Sequence, residues 1–267
     1  AKLNPNFGTI RDRIFEGQSF YNSFQAGWTY PAHRRLRLQV SYQLSKSIDD
    51  DSSSFSQSES LNSIGIPVTG NARFNRGLSA NDQRHNFVTS LTAELGSPTS
   101  PLLRPFFGGW RVSSIITLAS GAPFTVTLAY DAARTLTTRS DYRAGQRPDL
   151  APGVHGSVVT GDPNAWFDVT AFRRPTPGYL GNLGRNTVAG PGFASADAVL
   201  AKRLLARDRF SIDLRFESFN LLNRTNFNLP ESERMQLFSR TGVREDAGRI
   251  TSAAPGRELQ AGIKVQF

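Results

Sequence analysis

Long runs of strict alternation constrain this chain more than any other feature. In residues 257–267, Arg257, Leu259, Ala261, Ile263, Val265 and Phe267 form one row, while Glu258, Gln260, Gly262, Lys264 and Gln266 form the other. A period of two puts the rows on opposite faces of a β-strand, one apolar and one polar. The pattern first locks at Phe20, where Phe20, Asn22, Phe24, Ala26, Trp28 and Tyr30 alternate with Ser19, Tyr21, Ser23, Gln25, Gly27 and Thr29. After a tight connection at 31–33, Leu36, Leu38, Val40, Tyr42 and Leu44 stand against Arg35, Arg37, Gln39, Ser41 and Gln43. A third run, 84–96, carries Phe87, Leu91, Ala93 and Leu95 on one row. The fourth starts at Trp110 with Val112, Ile116 and Leu118, bends at Ser120-Gly121-Ala122-Pro123 and is expected to continue through 124–128. The fifth, 194–204, is weaker, with Ala196, Ala198, Leu200 and Leu204 sharing a face with Lys202. The sixth sets Phe210, Ile212, Leu214 and Phe216 against Arg209, Ser211, Asp213, Arg215 and Glu217.

Seven strands are thus expected, joined by connections that alternate short and long. The long ones cover 49–83, 129–193 and 223–254, the second of them read as irregular and the third with one helical turn near 233–238. In an up-and-down barrel this asymmetry gathers the short turns at one rim and the long loops at the other. The runs are about 11–15 residues long, against about 5–6 in soluble sheets, and a tilted strand needs about 9–11 to cross hydrocarbon. Charge obeys the alternation: Arg37, Glu94, Arg111, Asp197, Arg203, Asp213, Arg215, Glu217, Glu258 and Lys264 all stand on the polar row. Lys46 and Lys202 are the exceptions, expected to snorkel from near strand ends. Trp28, Tyr30, Trp110 and Phe210 gather toward the short-turn rim, as an interfacial girdle does. The fold class expected is all-β, an antiparallel up-and-down transmembrane β-barrel segment. Arg37, Glu94, Asp213, Arg215, Glu217 and Lys264 are expected to face its lumen.

Composition narrows the alternatives. Only 38% of the 267 residues are hydrophobic, and no stretch has the roughly 20 consecutive apolar residues of a spanning helix. There is no cysteine, so disulfides and thiolate metal sites are out of reach. The formal charge of +9 raises nucleic acid as a partner, but the basic residues are scattered and no recognition motif accompanies them, so none is expected. Seven is an odd count, whereas complete bacterial barrels have even ones. The chain is therefore expected to be the closing part of a larger barrel, spanning 1–267, without a plug or an N-terminal regulatory-like domain.

The last strand, ending on an aromatic, resembles the C-terminal assembly signal of bacterial outer-membrane barrels, with Gly262, Ile263, Val265 and Phe267 as its elements. Motifs along the chain extend the resemblance. They are Asn4-Pro5-Asn6-Phe7-Gly8, Ser41-Tyr42-Gln43-Leu44-Ser45-Lys46-Ser47-Ile48-Asp49, Arg76-Gly77-Leu78-Ser79 with Asp82 and Arg84-His85, and Ser120-Gly121-Ala122-Pro123-Phe124. Gln146-Arg147-Pro148-Asp149, Gly184-Arg185-Asn186 with Gly190-Pro191-Gly192, and Arg215-Phe216-Glu217-Ser218-Phe219-Asn220 with Asn226-Phe227 follow in order. As a set they resemble the TonB-dependent outer-membrane receptors of the Oar-like type, which carry a carboxypeptidase-regulatory-like domain at the N-terminus. The resemblance implies a barrel of about 22 strands with a plugged lumen. It also implies residence in the outer membrane of a Gram-negative cell and energy-coupled uptake of a ligand. Partners would be membrane lipid, the plug and remaining strands, TonB through an upstream segment, and the barrel-assembly machinery. A non-transporting structural or adhesive barrel and a secreted carbohydrate-active β-protein remain alternatives.

No residue is expected to carry covalent chemistry, and no cofactor or metal is expected. Asp49-Asp50-Asp51 lacks the glycine and terminal glutamate of a calcium loop and reads more simply as a solvated run. His33, His85 and His155 lack metal-ligand spacing. Asp213 and Glu217 share a face and could pass for a glycosidase pair, but lumen charges explain them more simply. Arg143, Arg147, Asp149, Arg185 and Asn186 are candidates for ligand contact at the outer mouth, since binding residues concentrate on loops held by a rigid scaffold. Ordinary loop structure is the competing account.

Overall fold

The computed structural model describes residues 16–30, 35–52, 71–134, 145–207 and 210–267. The Asn4-Pro5 motif, the 31–33 connection with His33, and Arg143 lie outside the described residues.

Seven long strands follow one another in an antiparallel meander: β1 (Ser19–Tyr30), β2 (Leu36–Asp49), β3 (His85–Glu94), β4 (Trp110–Ala119), β5 (Phe193–Arg207), β6 (Phe210–Phe219) and β7 (Glu258–Gln266). Their lengths run from 9 residues in β7 to 15 in β5, matching the membrane-crossing range rather than that of soluble sheets. A short piece, Gly77–Leu78, pairs with the end of β2. The first and last strands stand at opposite ends of the order, so the sheet is open.

Directly opposite residues of an antiparallel pair share a face. One rung therefore runs Tyr42, Phe87, Leu118, Ala194, and another Val112, Leu200, Phe216, Ala261. Apart from Asn22 opposite Lys46 and the buried Lys202, the rungs of this parity are largely apolar, and the sheet leaves their large side chains uncovered: Phe24 is 62% exposed and Ile263 70%. The buried positions of the sheet are small or polar, such as Ser45, Ala201, Asp213 and Ser218. The sheet is a wall with no core of its own.

The apolar core lies in the long connections instead. The segment 124–128 does not extend β4. Pro123–Phe124 pairs with Val188–Ala189, and Thr127–Leu128 pairs in parallel with Gln236–Phe238. The region 129–193, expected to be irregular, carries two further two-stranded pairs among its described residues, Asp149–Leu150 with Phe172–Arg173 and Val159–Asp162 with Ala165–Phe167. Together these enclose Phe124, Val126, Leu128, Phe167, Phe172, Leu183, Val188, Met235, Leu237 and Phe238. Fully burying each large side chain contributes about 1.5–3 kcal/mol. Phe167 meets Phe172 edge to face at 5.7 Å, the arrangement favoured by the ring quadrupoles. The helical turn of the last long connection closes at 231–235, where Arg234 and Met235 donate to the Glu231 carbonyl, and 236–238 is strand. We call this packed unit the cap.

Two expectations for β5 need correction. Leu204, expected on the row of Ala196, Ala198 and Leu200, falls outside the register: Arg203 pairs with Asp213 but Leu205 with Ile212, so Leu204 is an extra residue, a β-bulge. Lys202 is not near a strand end; it sits opposite Trp110 and Leu214, 7% exposed, with its ammonium 4.7 Å from the Trp110 ring centroid.

Candidate functional site

The opposite parity of the sheet forms the polar face, and its basic residues are confined to particular rungs. One rung runs Glu94, Arg111, Ala201, Arg215, Gly262, and the next outward runs Arg37, Thr92, Ser113, Val199, Glu217, Gln260. One step toward the short connections lie Arg203, Asp213 and Lys264. These three rungs hold every Lys and Arg of the polar face among the described strand residues. Asp213 accepts from Arg203 at 3.2 Å, and Glu217 pairs with Arg215 at 2.7 Å while also accepting from Gln260. The two carboxylates are thus neutralised by neighbours. Arg37, Arg111, Lys264 and the Glu94 carboxylate opposite Arg111 have no ion-pair partner among the described residues, and with five cations (Arg37, Arg111, Arg203, Arg215, Lys264) against three carboxylates (Glu94, Asp213, Glu217) the band is net positive. Arg35, Glu94, Arg111 and Arg203 line a cavity of about 290 Å³ at its lower edge.

At the outer ends of the strands a second set of charges is buried. Arg185, 3% exposed, donates to the Asp49 carboxylate, the Asn75 carbonyl at 2.7 Å and Ser52 Oγ at 2.9 Å. Arg147 donates to Asn75 Oδ1 at 3.1 Å and stacks over Phe74 at 5.2 Å. Burial, with the nearby Arg185 charge second, pushes the Arg147 guanidinium down to about 10, so it stays charged at neutral pH. Asn75 is fully buried and also donates to the Asp50 carbonyl at 3.1 Å. Asp50 in turn binds Arg76 at 2.8 Å. Asn186 takes a left-handed conformation, φ 55°, donates to the Leu78 carbonyl at 2.7 Å and accepts from Thr125 at 2.9 Å. These bonds fasten the cap to the end of β2 and to the segment 71–79. Gly77 is required here, since a Cβ would sit 2.6 Å from the Arg185 carbonyl oxygen.

Of the residues singled out for ligand contact, Arg147, Arg185 and Asn186 are therefore interior residues whose polar atoms are taken up by protein. Asp149 is half-buried and accepts from the Asn182 backbone at 2.8 Å. Arg37, Glu94, Asp213, Arg215, Glu217 and Lys264 all lie on the polar face. Trp28, Tyr30, Trp110 and Phe210 stand on the apolar parity near the short-connection ends of their strands. In β7, Ile263 and Val265 face with Leu214 and Ile212, Gly262 pairs with Arg215, and Phe267 projects beyond the strand, 98% exposed. Asn75, Arg76 and Asp50 were not singled out as a unit by sequence reasoning. The signal was present in Arg76-Gly77, a cation beside a residue without a side chain.

Other motif residues serve as braces of the same kind. Asn220 holds Arg224 through both its side-chain atoms, and Asn226 does the same for Ala194. A Cβ on Gly121 would meet the Gly190 carbonyl, and one on Gly190 would meet Leu229 and the Ala122 carbonyl, which explains a glycine in each of two distant motifs. Among the described residues, no three His, Cys, Asp or Glu converge to hold a metal ion, and no helix is long and apolar enough to cross a membrane.

A family model described as outer membrane beta barrel domain matches residues 1–260. Comparisons with curated proteins and with solved structures give no match.

Proposed function

The chain belongs to the outer membrane beta barrel domain family, and on that premise we propose that it is part of the wall of a TonB-dependent receptor of the Oar-like type. The protein resides in the outer membrane. In this reading the apolar face meets lipid, the polar face lines the lumen, and the cap stands outside the cell where ligand is captured. No residue performs covalent chemistry; the protein binds and passes a ligand.

The observation that carries the reading is the net positive band on the polar face of an open wall. Five cations against three carboxylates, with Arg37 and Lys264 in no ion pair among the described residues, call for a lumen occupant that supplies counter-charge. A plug domain held in a wider barrel, closed by further strands, supplies both the occupant and the missing strand partners. The ordered motifs from Ser41 to Asn226 support the same family type.

The test uses the full-length protein. Planar-bilayer conductance is measured with the complete chain and with the region upstream of the barrel strands deleted, and binding of the periplasmic domain of TonB is measured by titration. A closed complete protein, a conducting deletion and saturable TonB binding are expected. Equal conductance in both forms, together with no TonB binding, would leave a non-transporting structural or adhesive barrel as the function.

A further inference from the structure

We propose that the connection between β3 and β4 folds out over the lipid side of the wall and seats residues 101–107 in the periplasmic interface of the bilayer as an anchor. The short-turn rim of a barrel usually carries compact polar turns. This connection instead reads Pro101-Leu102-Leu103-Arg104-Pro105-Phe106-Phe107, with one helical turn at Arg104–Phe107.

Two side chains fix where it lies. Trp110 Nε1 donates to the Phe106 carbonyl at 2.8 Å, and Lys202 Nζ donates to the same oxygen at 2.6 Å. Trp110 and Lys202 are cross-strand partners on the apolar parity. A carbonyl reached by both must hang on that side of the wall, outside the lumen.

The segment is built for an interface. Leu102 is 83% exposed, Phe106 69% and Phe107 61%, so large apolar groups project with nothing of the described chain over them. The backbone is largely satisfied within the turn: Phe106 and Phe107 donate to the Leu103 carbonyl and Gly108 to that of Arg104. Paired amides are what backbone needs before it enters a medium poor in water. Exposed Arg104 stands among the apolar residues and suits a phospholipid phosphate, which accepts from guanidinium. The apolar groups continue the lipid-facing row past Trp110, so bilayer is the occupant that is continuous with the wall's own interface. Lys202 becomes intelligible in the same arrangement. Its charge, on a face turned to lipid, is met by the Phe106 carbonyl and the Trp110 ring, a cation–π contact that also pins the anchor.

The test is spin-label accessibility in the full-length protein reconstituted in phospholipid bilayers. The chain has no cysteine, so single cysteines at Leu102, Phe106, Phe107 and the exposed Thr99 report on these positions alone within it. Labels at Leu102, Phe106 and Phe107 are expected to collide more with oxygen than with a water-soluble nickel complex, and the Thr99 label the reverse. Nickel access at the three apolar positions equal to that at Thr99 would overturn the proposal. So would shielding from both reagents, which would mean that protein covers them. In Lys202→Met, with heat-modifiable migration on gels confirming folding, the Phe106 label is expected to shift toward the nickel reagent. An unchanged ratio would overturn the pinning role of Lys202.

Discussion

Arg185 stands 136 residues beyond Asp49 in the chain and donates to both the carboxylate and the backbone carbonyl of that residue. The pair joins the cap to the wall, and neither partner has water to fall back on. Arg185→Ala leaves a buried carboxylate without its cation, a change that costs about 3–5 kcal/mol. Cleavage within 145–190 by protease added to intact cells should rise sharply, and Asp49→Asn in the same background should recover part of the resistance.

The cap core predicts a second separation of effects. Phe124→Ala should cost about 3–5 kcal/mol and Leu237→Ala about 2–5, because both side chains are fully buried. The loss should appear as faster proteolysis of the cap, while heat-modifiable gel migration, which reports on the wall, persists. Loss of that migration in either variant would show that the cap is needed to form the wall.

Neighbouring residues on opposite faces of β5 give a direct comparison. Leu200→Arg puts a cation on the lipid-facing parity one rung from Trp110, at a cost between the about 0–1 kcal/mol of the interface and the about 2–4 kcal/mol of mid-depth. Val199→Arg puts the same side chain on the polar face opposite Glu217 and should be close to neutral. Equilibrium unfolding in bilayers distinguishes them; equal losses would contradict the assigned faces.

Acid should loosen the segment 71–82. The Arg76 guanidinium bonded to Asp50 holds its carboxyl below the usual carboxylate range, against the opposing effect of burial, with smaller help from the Gln18 backbone and the Arg185 charge. A carboxyl depressed in the folded state stabilises fully above its unfolded value, about 3.9, and that contribution is lost as pH falls through the lower folded value. Pepsin cleavage near 71–82 should therefore climb as pH drops below about 4. In Asp50→Asn the rise with acid should be blunted, from a higher starting level.

The wall was legible in the sequence because period-two alternation is local: Leu214 and Phe216 announce their face without reference to any partner. The cap was not, and the reason is specific. Phe124, Val126 and Leu128 keep the alternation, so they read as more of β4, whereas their partners are short pieces around Val188 and Leu237 far along the chain. The same holds for Arg147 and Arg185. A loop arginine reads as a ligand contact until Asn75 and Asp49, brought from distant segments, are seen to bury it. The bulge at Leu204 is hidden for the same reason: Leu204 keeps the row of Ala198 and Leu200 along the chain, and only the pairing of Arg203 and Leu205 with β6 makes it an extra residue.

Because the apolar interior lies in the cap while the wall turns its apolar side chains outward, the two parts answer to opposite insults. Urea undoes what the cap hides from water. Thinning the bilayer or stripping lipid acts on the wall and leaves the cap's interior untouched. A calorimetric trace taken in micelles should resolve two transitions that move independently when denaturant and amphiphile are varied.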